Sequence, residues 1–382
     1  MSIEPFTIRV SDESLADLKL RLDHTRWPGE VAGGGWDYGT DLAYLQELCA
    51  YWRDDFDWRK QEAYLNGFSH FKADVDGYGV HFVHERGTGP DPLPLIFTHG
   101  WPGSFYEVHK IIGPLTDPAA HGGDPADAFH VVAPSLPGYG FSEIPTQPGY
   151  GQGRTAELWD SLMRQLGYER YGAQGGDWGA IVTANLGRRF PERVIGAHMN
   201  MVVGGRPPEG HELTEQEQEQ QQRLQRWQAE ETGYQRIQGT KPQTLAYGLT
   251  DSPAGLAGWI VEKWRSWSDC DGDVEQRFTK DELLTNISIY WHTGTINSSV
   301  RYYFEAFHPS GGGLGGFGRV EVPCGFANFP KEVIAAPRAW AEEGYHVVHW
   351  SEFDRGGHFP AMEEPELLVQ DIRDFFRPLR TT

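Results

Sequence analysis

Residues 172–180 read GAQGGDWGA, and they place a carboxylate on a turn where a hydroxyl is commoner. Gly175 and Gly179 bracket Asp177 in a Gly-x-Asp-x-Gly frame. That frame holds a nucleophile on a tight turn between a strand and a helix. Serine on such a turn suits acyl carbons. A carboxylate, ionised above its reference pKa of about 3.9, is instead suited to a saturated carbon. It displaces oxygen or halide by in-line attack and needs no base to do so. The product is an alkyl ester of Asp177, and breaking that ester calls for a base and for donors to an oxyanion.

The segment GGHFP places His358 in a loop after the last strand, the position expected of that base. A third group must orient the imidazole. PKEV places Glu332 just past the end of the next-to-last strand. Asp354 is too near His358 in sequence to reach behind the ring, and the strand before the long insertion ends in Asn200 with no carboxylate nearby. Upstream, HGWPGS follows a buried-strand run, so the backbone amides of Trp101 and Trp178 are the expected oxyanion donors. Two leaving groups remain open. A halide needs N–H donors, and the Trp101 and Trp178 indoles keep that option. An epoxide oxygen needs an acid, which a tyrosine phenol supplies. His81 and His84 point to opposite faces of their strand, which suits a metal site badly. Neither a metal site nor a cofactor site is read from the sequence.

Across 382 residues, 33 Lys and Arg stand against 54 Asp and Glu, a formal net charge of -21. That balance repels phosphate backbones and anionic lipid, which argues against nucleic acid and membrane partners. No run of 18 or more apolar residues is present. The N-terminus carries no signal-peptide pattern, and Cys49, Cys270 and Cys324 show no C-x-x-C spacing. A soluble cytoplasmic protein acting on a small neutral molecule is expected.

Elements to position these residues follow from pattern. Ser11 reads as the N-cap of a helix with Leu15, Leu18 and Leu22 on one face, and DLAYLQELCAYW repeats the helical spacing. FSHFKADVDGYGVHFVHERG reads as a hairpin turning at Asp76-Gly77. Strand-type runs then alternate with helices: PLPLIFTHG, FHVVAPSLPGYG, YERYGAQGG and RVIGAHMN, then VEVPCGFANF, YHVVHWSEF and the helix PELLVQDIRDFF. This alternation predicts an α/β protein with a mostly parallel sheet. Residues 201–318 interrupt it with helical and loop sequence. TEQEQEQQQRLQRWQ within it reads as a solvated helix face, and PSGGGLGGFG as a flexible connector lacking the G-K-[ST] of a phosphate loop.

Taken together, PFTIRVSDESLADLKLRL, RWP, HGWPGSFYE, PSLPGYGFS, GGDWG, the long TGYQRIQ…VEKW stretch, FPKE and GGHFPAMEEP resemble the microsomal-type epoxide hydrolases over nearly the whole chain. The resemblance implies an α/β-hydrolase fold in three parts: an N-terminal meander over 1–90, a core over 91–200 and 319–382, and a helical lid over 201–318. It carries the nucleophile onto Asp177, the base onto His358 and the acid onto Glu332. Two ring-opening tyrosines fall on Tyr234 in TGYQRIQ and Tyr303 in SVRYYFEAF, where a slip of one residue would substitute Tyr302. It further implies an epoxide and water as partners, a homodimer, no cofactor and no membrane anchor. With 14 Trp, 16 Tyr and 20 Phe, an aromatic-lined pocket suits an apolar or aryl epoxide. Two other readings stand beside it: a haloalkane dehalogenase on the same scaffold, and a catalytically silent ligand-binding fold.

Overall fold

The computed structural model describes residues 3–204, 207, 210–308 and 318–380. Three helices open the chain after a short edge strand, β1 (Ile3–Pro5): α1 (Asp12–Asp23), α2 (Leu42–Asp54) and α3 (Trp58–Leu65). Each begins where a side chain caps it. Ser11, Asp41 and Asp57 accept the amides of Ser14, Tyr44 and Lys60, satisfying donors the first turn would otherwise leave open. The expected hairpin is β2 (His70–Val75) and β3 (Tyr78–Glu85), with φ of 51° at Asp76 and 79° at Gly77. Two successive positive φ values match the twist of the flanking strands, and Asp-Gly tolerates them.

Six further strands complete one sheet: β4 (Leu93–Thr98), β5 (Phe129–Pro134), β6 (Tyr171–Gly175), β7 (Val194–Met199), β8 (Val320–Asn328) and β9 (Tyr345–Glu352). The order is β1-β2-β3-β5-β4-β6-β7-β8-β9, antiparallel from β1 to β5 and parallel from β5 to β9. Helices α4 (Ile112–Thr116), α5 (Gln152–Gln165) and α6 (Trp178–Arg189) link the central strands. Leu95, Ile96, Val131 and Val132 are fully buried, which is why β4 and β5 read as continuous apolar runs. Each such side chain contributes about 2 kcal/mol by leaving water.

From β4 the chain steps to β5 on one side, then crosses to β6 on the other. The switch in direction therefore falls between β4 and β6, where open α/β sheets place their sites. Thr98 pairs with Gly175, so both strands end level and the loops after them meet.

Between β7 and β8 the chain inserts α7 (Glu215–Glu230), α8 (Gly233–Thr240), α9 (Pro242–Asp251), α10 (Pro253–Trp267), α11 (Lys280–Thr293) and α12 (Ile296–Phe307). The glycine connector, apart from Gly318, lies outside the described residues. The polar run forms α7, solvated on one face as read. Its other face does more: Arg223 donates to the backbone carbonyls of Pro330 at 2.8 Å and Glu332 at 2.7 Å. A guanidinium fork gripping two loop carbonyls leaves no signature in a polar repeat. The chain closes with α13 (Arg338–Gly344), α14 (Pro360–Glu363) and α15 (Pro365–Phe376).

Candidate active site

Asp177 sits two residues past Gly175, the end of β6, with φ 49° and ψ -125°, and α6 begins immediately after it. This is a strained conformation for a residue with a Cβ, the kind the surrounding fold must impose. The glycines explain how the turn closes. A Cβ on Gly179 would meet the Thr98 carbonyl at 1.9 Å, and one on Gly175 would meet the Gly179 backbone at 2.4 Å. The Trp101 amide donates to Asp177 Oδ1 at 2.8 Å. Trp178 is the first residue of α6, where an amide has no partner within the helix.

His358 lies in the loop between β9 and α14. Its Nε2 is 3.5 Å from Asp177 Oδ2, and its Nδ1 is 2.7 Å from Glu332 Oε1. The three expected residues thus converge from the ends of β6, β8 and β9. Burial by itself would depress the imidazole; the charge of Glu332 and the bond to Asp177 outweigh it and hold His358 well above its ordinary value. Glu332 is fixed in turn, since Oε1 also accepts the Val333 amide at 2.7 Å. The His358 amide donates to the Trp267 carbonyl at 2.9 Å, and the two rings meet edge to face at 4.9 Å.

Tyr234 on α8 and Tyr303 on α12 face each other with ring centroids 5.8 Å apart, and their hydroxyls interact. Tyr234 stacks on Trp101 at 5.4 Å, and Tyr303 packs edge-on against Trp178 at 4.6 Å. Tyr302 turns away, with its hydroxyl 2.8 Å from Thr155 Oγ1 on α5. Desolvation first, and then the Asp177 charge, hold the Tyr234 phenol well above its ordinary value. Desolvation is also the largest influence on Tyr303, followed by Tyr234 and Asp177, and it too is raised.

Several neighbours carry no sign in the sequence. Asn286 of α11 donates to the Pro102 carbonyl at 2.8 Å and accepts Ser104 Oγ at 2.8 Å, while Tyr290 donates to the Gly103 carbonyl at 2.6 Å. The insertion thereby clamps the loop that presents Trp101. Glu363 accepts the amides of Phe359 and Asp269, both at 2.8 Å, and braces the His358 loop; burial pushes it up to about 7.

The strand order, the elbow after β6 and the loops that meet it are those of the α/β-hydrolase class, and the family pattern "alpha/beta hydrolase fold" matches residues 94–251. A second pattern, "Epoxide hydrolase N terminus", matches residues 3–108. The "Putative epoxide hydrolase" of Stigmatella aurantiaca (strain DW4/3-1) is 47% identical over 99% of this chain and 86% of its own length. "Epoxide hydrolase 1" of Oryctolagus cuniculus is 40% identical over 98% of this chain and 88% of its own. The solved structure of Aspergillus niger epoxide hydrolase superposes with a TM-score of 0.88 at 30% identity, covering 99% of this chain and 97% of that one. The chain belongs to the epoxide hydrolase family. No helix among the described residues is long and apolar enough to cross a membrane.

Proposed function

We propose that this epoxide hydrolase converts an apolar or aryl epoxide into a vicinal diol through an ester of Asp177. The observation that carries the reading is the convergence at one point of Asp177, His358 at 3.5 Å and the facing phenols of Tyr234 and Tyr303. In the first step an Asp177 oxygen attacks an epoxide carbon from behind the C–O bond. That bond breaks, and the departing oxygen takes a proton from a phenol that strong hydrogen bonding to a developing alkoxide makes acidic. The imidazolium of His358 restores the phenol's proton and becomes a neutral base.

In the second step His358 takes a proton from water, and the hydroxide formed adds to Asp177 Cγ. The Trp101 and Trp178 amides receive the oxyanion. Collapse breaks the ester C–O bond, the diol oxygen takes the imidazolium's proton, and the remaining proton on Asp177 returns to His358. Epoxide plus water gives diol, with the enzyme restored.

Trp101, Trp178, Trp267 and the two tyrosines pack on one another around the reacting atoms, which supports an apolar or aryl substituent on the epoxide. Within this reading residues 201–318 serve as a lid on the core of 91–200 and 319–382, with 1–90 as the supporting N-terminal region. The three cysteines are buried free thiols, which fits a reducing, cytoplasmic compartment. The test is a paired assay with styrene oxide and a primary bromoalkane. Diol without bromide is expected, as is its loss in Asp177→Ala. Bromide without diol would instead mean that the Trp101 and Trp178 indoles, both buried without a hydrogen-bond partner among the described residues, form a halide site.

A further inference from the structure

Beside Asp177 a small cavity has free space for about one water molecule. Asp177, His358, Gly100, Trp101, Asn200 and Glu107 are among its walls; Tyr234, Tyr303 and Trp178 are not. The nucleophile therefore has two faces. One meets the phenols, where an epoxide oxygen would depart. The other meets a compartment of one-water size that the imidazole also borders.

Of the polar walls with no part in the mechanism above, Asn200 accepts the Gln174 side chain at 3.1 Å, and Glu107 is the one that titrates. It lies six residues past Trp101 in HGWPGSFYE, inside the short helical segment Phe105–Lys110. The backbone folds tightly around it: a Cβ on Gly103 would sit 1.7 Å from Glu107 Oε1. Burial pushes its carboxyl up to about 8, against the opposing pull of the His358 charge, and the Asp177 charge adds to the rise. So raised, the group is an uncharged acid at neutral pH; its carboxyl accepts the Gly100 amide, and a carbonyl oxygen has a second lone pair for another donor. A second carboxylate there would oppose the oxyanion that forms on Asp177; a neutral acceptor does not.

We propose that this cavity is the seat of the hydrolytic water, and that Glu107 is a further catalytic residue that holds this water for attack on the Asp177 ester. One water proton points to His358 Nε2 and is removed. The other is accepted by the Glu107 carbonyl oxygen, which leaves a lone pair directed at Asp177 Cγ. The water is thus stored beside the nucleophile, apart from the epoxide, and cannot compete with Asp177 for the substrate carbon. The inference rests on the ester mechanism proposed above.

The experiment separates the two half-reactions. Wild type, Glu107→Gln and Glu107→Leu are mixed with excess enzyme over styrene oxide, acid-quenched at intervals, and the mass of the Asp177 peptide is followed. Glu107→Leu, which has no acceptor, should form the ester within about threefold of the wild-type rate. It should break the ester about 100-fold more slowly, the scale of a misplaced reactant. Glu107→Gln keeps a neutral carbonyl and should hydrolyse the ester within about threefold of wild type. Ester breakdown in Glu107→Leu at the wild-type rate would overturn the proposal, as would an equal fall in both half-reactions. Should the leucine variant not fold, Glu107→Ala gives the same reading. A wild-type Asp177 peptide that never gains mass would overturn the ester mechanism instead, which keeps the two failures distinct.

Discussion

Glu332 Oε1 lies 2.7 Å from His358 Nδ1, on the side of the imidazole away from Asp177. A carboxylate at that distance makes Nδ1 the donor, so Nε2 is the nitrogen turned to Asp177 at 3.5 Å. The ring is held from both sides, and its second nitrogen has one direction in which to work. Because Asp177 is already ionised, that nitrogen is required for ester breakdown and not for ester formation.

His358→Gln should therefore form the Asp177 ester and fail to release it. The measurement is the mass of the peptide containing Asp177 after styrene oxide is added. A persistent gain equal to the epoxide is expected, with turnover down by about 1,000-fold or more. A variant whose peptide stays unmodified would show that His358 acts before the ester and not after it.

The phenols belong to the opposite half-reaction. Tyr234→Phe and Tyr303→Phe each leave one hydroxyl facing the site, so each should slow ester formation by about 10- to 100-fold, and the double variant by far more. Stopped-flow tryptophan fluorescence reports this step, since Trp101 and Trp178 pack on the two rings. Ester breakdown should hold its rate. Tyr302→Phe, which loses only the contact with Thr155, is the control; an alkylation defect there as large as in Tyr303→Phe would reverse the assignment.

How much of this could be read beforehand follows from how local each signal is. Asp177, His358 and the Trp101 loop announce themselves because a turn and its chemistry occupy a few consecutive residues. Glu332 needed elimination, since its position is defined by the end of a strand. The tyrosines came through family likeness alone. Tyr302 and Tyr303 are neighbours on one helix, both rings touch Trp178, and only the docking of α12 decides which of them faces Tyr234. Glu107 and Arg223 were not legible. A carboxylate in a loop looks the same in sequence whether it meets solvent or a cavity, and an arginine in a polar helix does not advertise the carbonyls it will grip a hundred residues later.

Ester formation should lower the affinity of His358 for its proton. In the free enzyme burial opposes the charged imidazole, while Glu332 and Asp177 together hold it well above its ordinary value. Esterification neutralises Asp177 and removes that contribution; burial and Glu332 remain. The sign is then fixed. The midpoint for ester breakdown, which rises with pH as the base deprotonates, must lie below the midpoint of His358 in the free enzyme. Nitrogen-15 NMR titration supplies the latter and single-turnover decay across pH the former. Equal or reversed midpoints would mean that Asp177 does not support the resting imidazolium.

Asp371 of α15 accepts His198 of β7 at 2.9 Å, His349 of β9 at 2.7 Å and the Ser351 hydroxyl, tying the closing helix to the sheet. Burial would raise the carboxyl, but these bonds outweigh it and hold Asp371 far below the usual carboxylate range. A depressed carboxylate stabilises the fold above its unfolded value of about 3.9 and loses that contribution as pH falls below it. His349, raised by its bond to the same carboxylate, works in the other direction, and its share fades as pH rises through its folded value. Asp371→Asn should accordingly cost about 3 kcal/mol near pH 6, where both charges are present. The deficit should shrink at pH 4 and below, and partly so above pH 8. Urea denaturation of both proteins at these pH values measures it. A deficit that stays constant across the range would show that Asp371 holds α15 by packing and neutral hydrogen bonds, without a contribution from its charge.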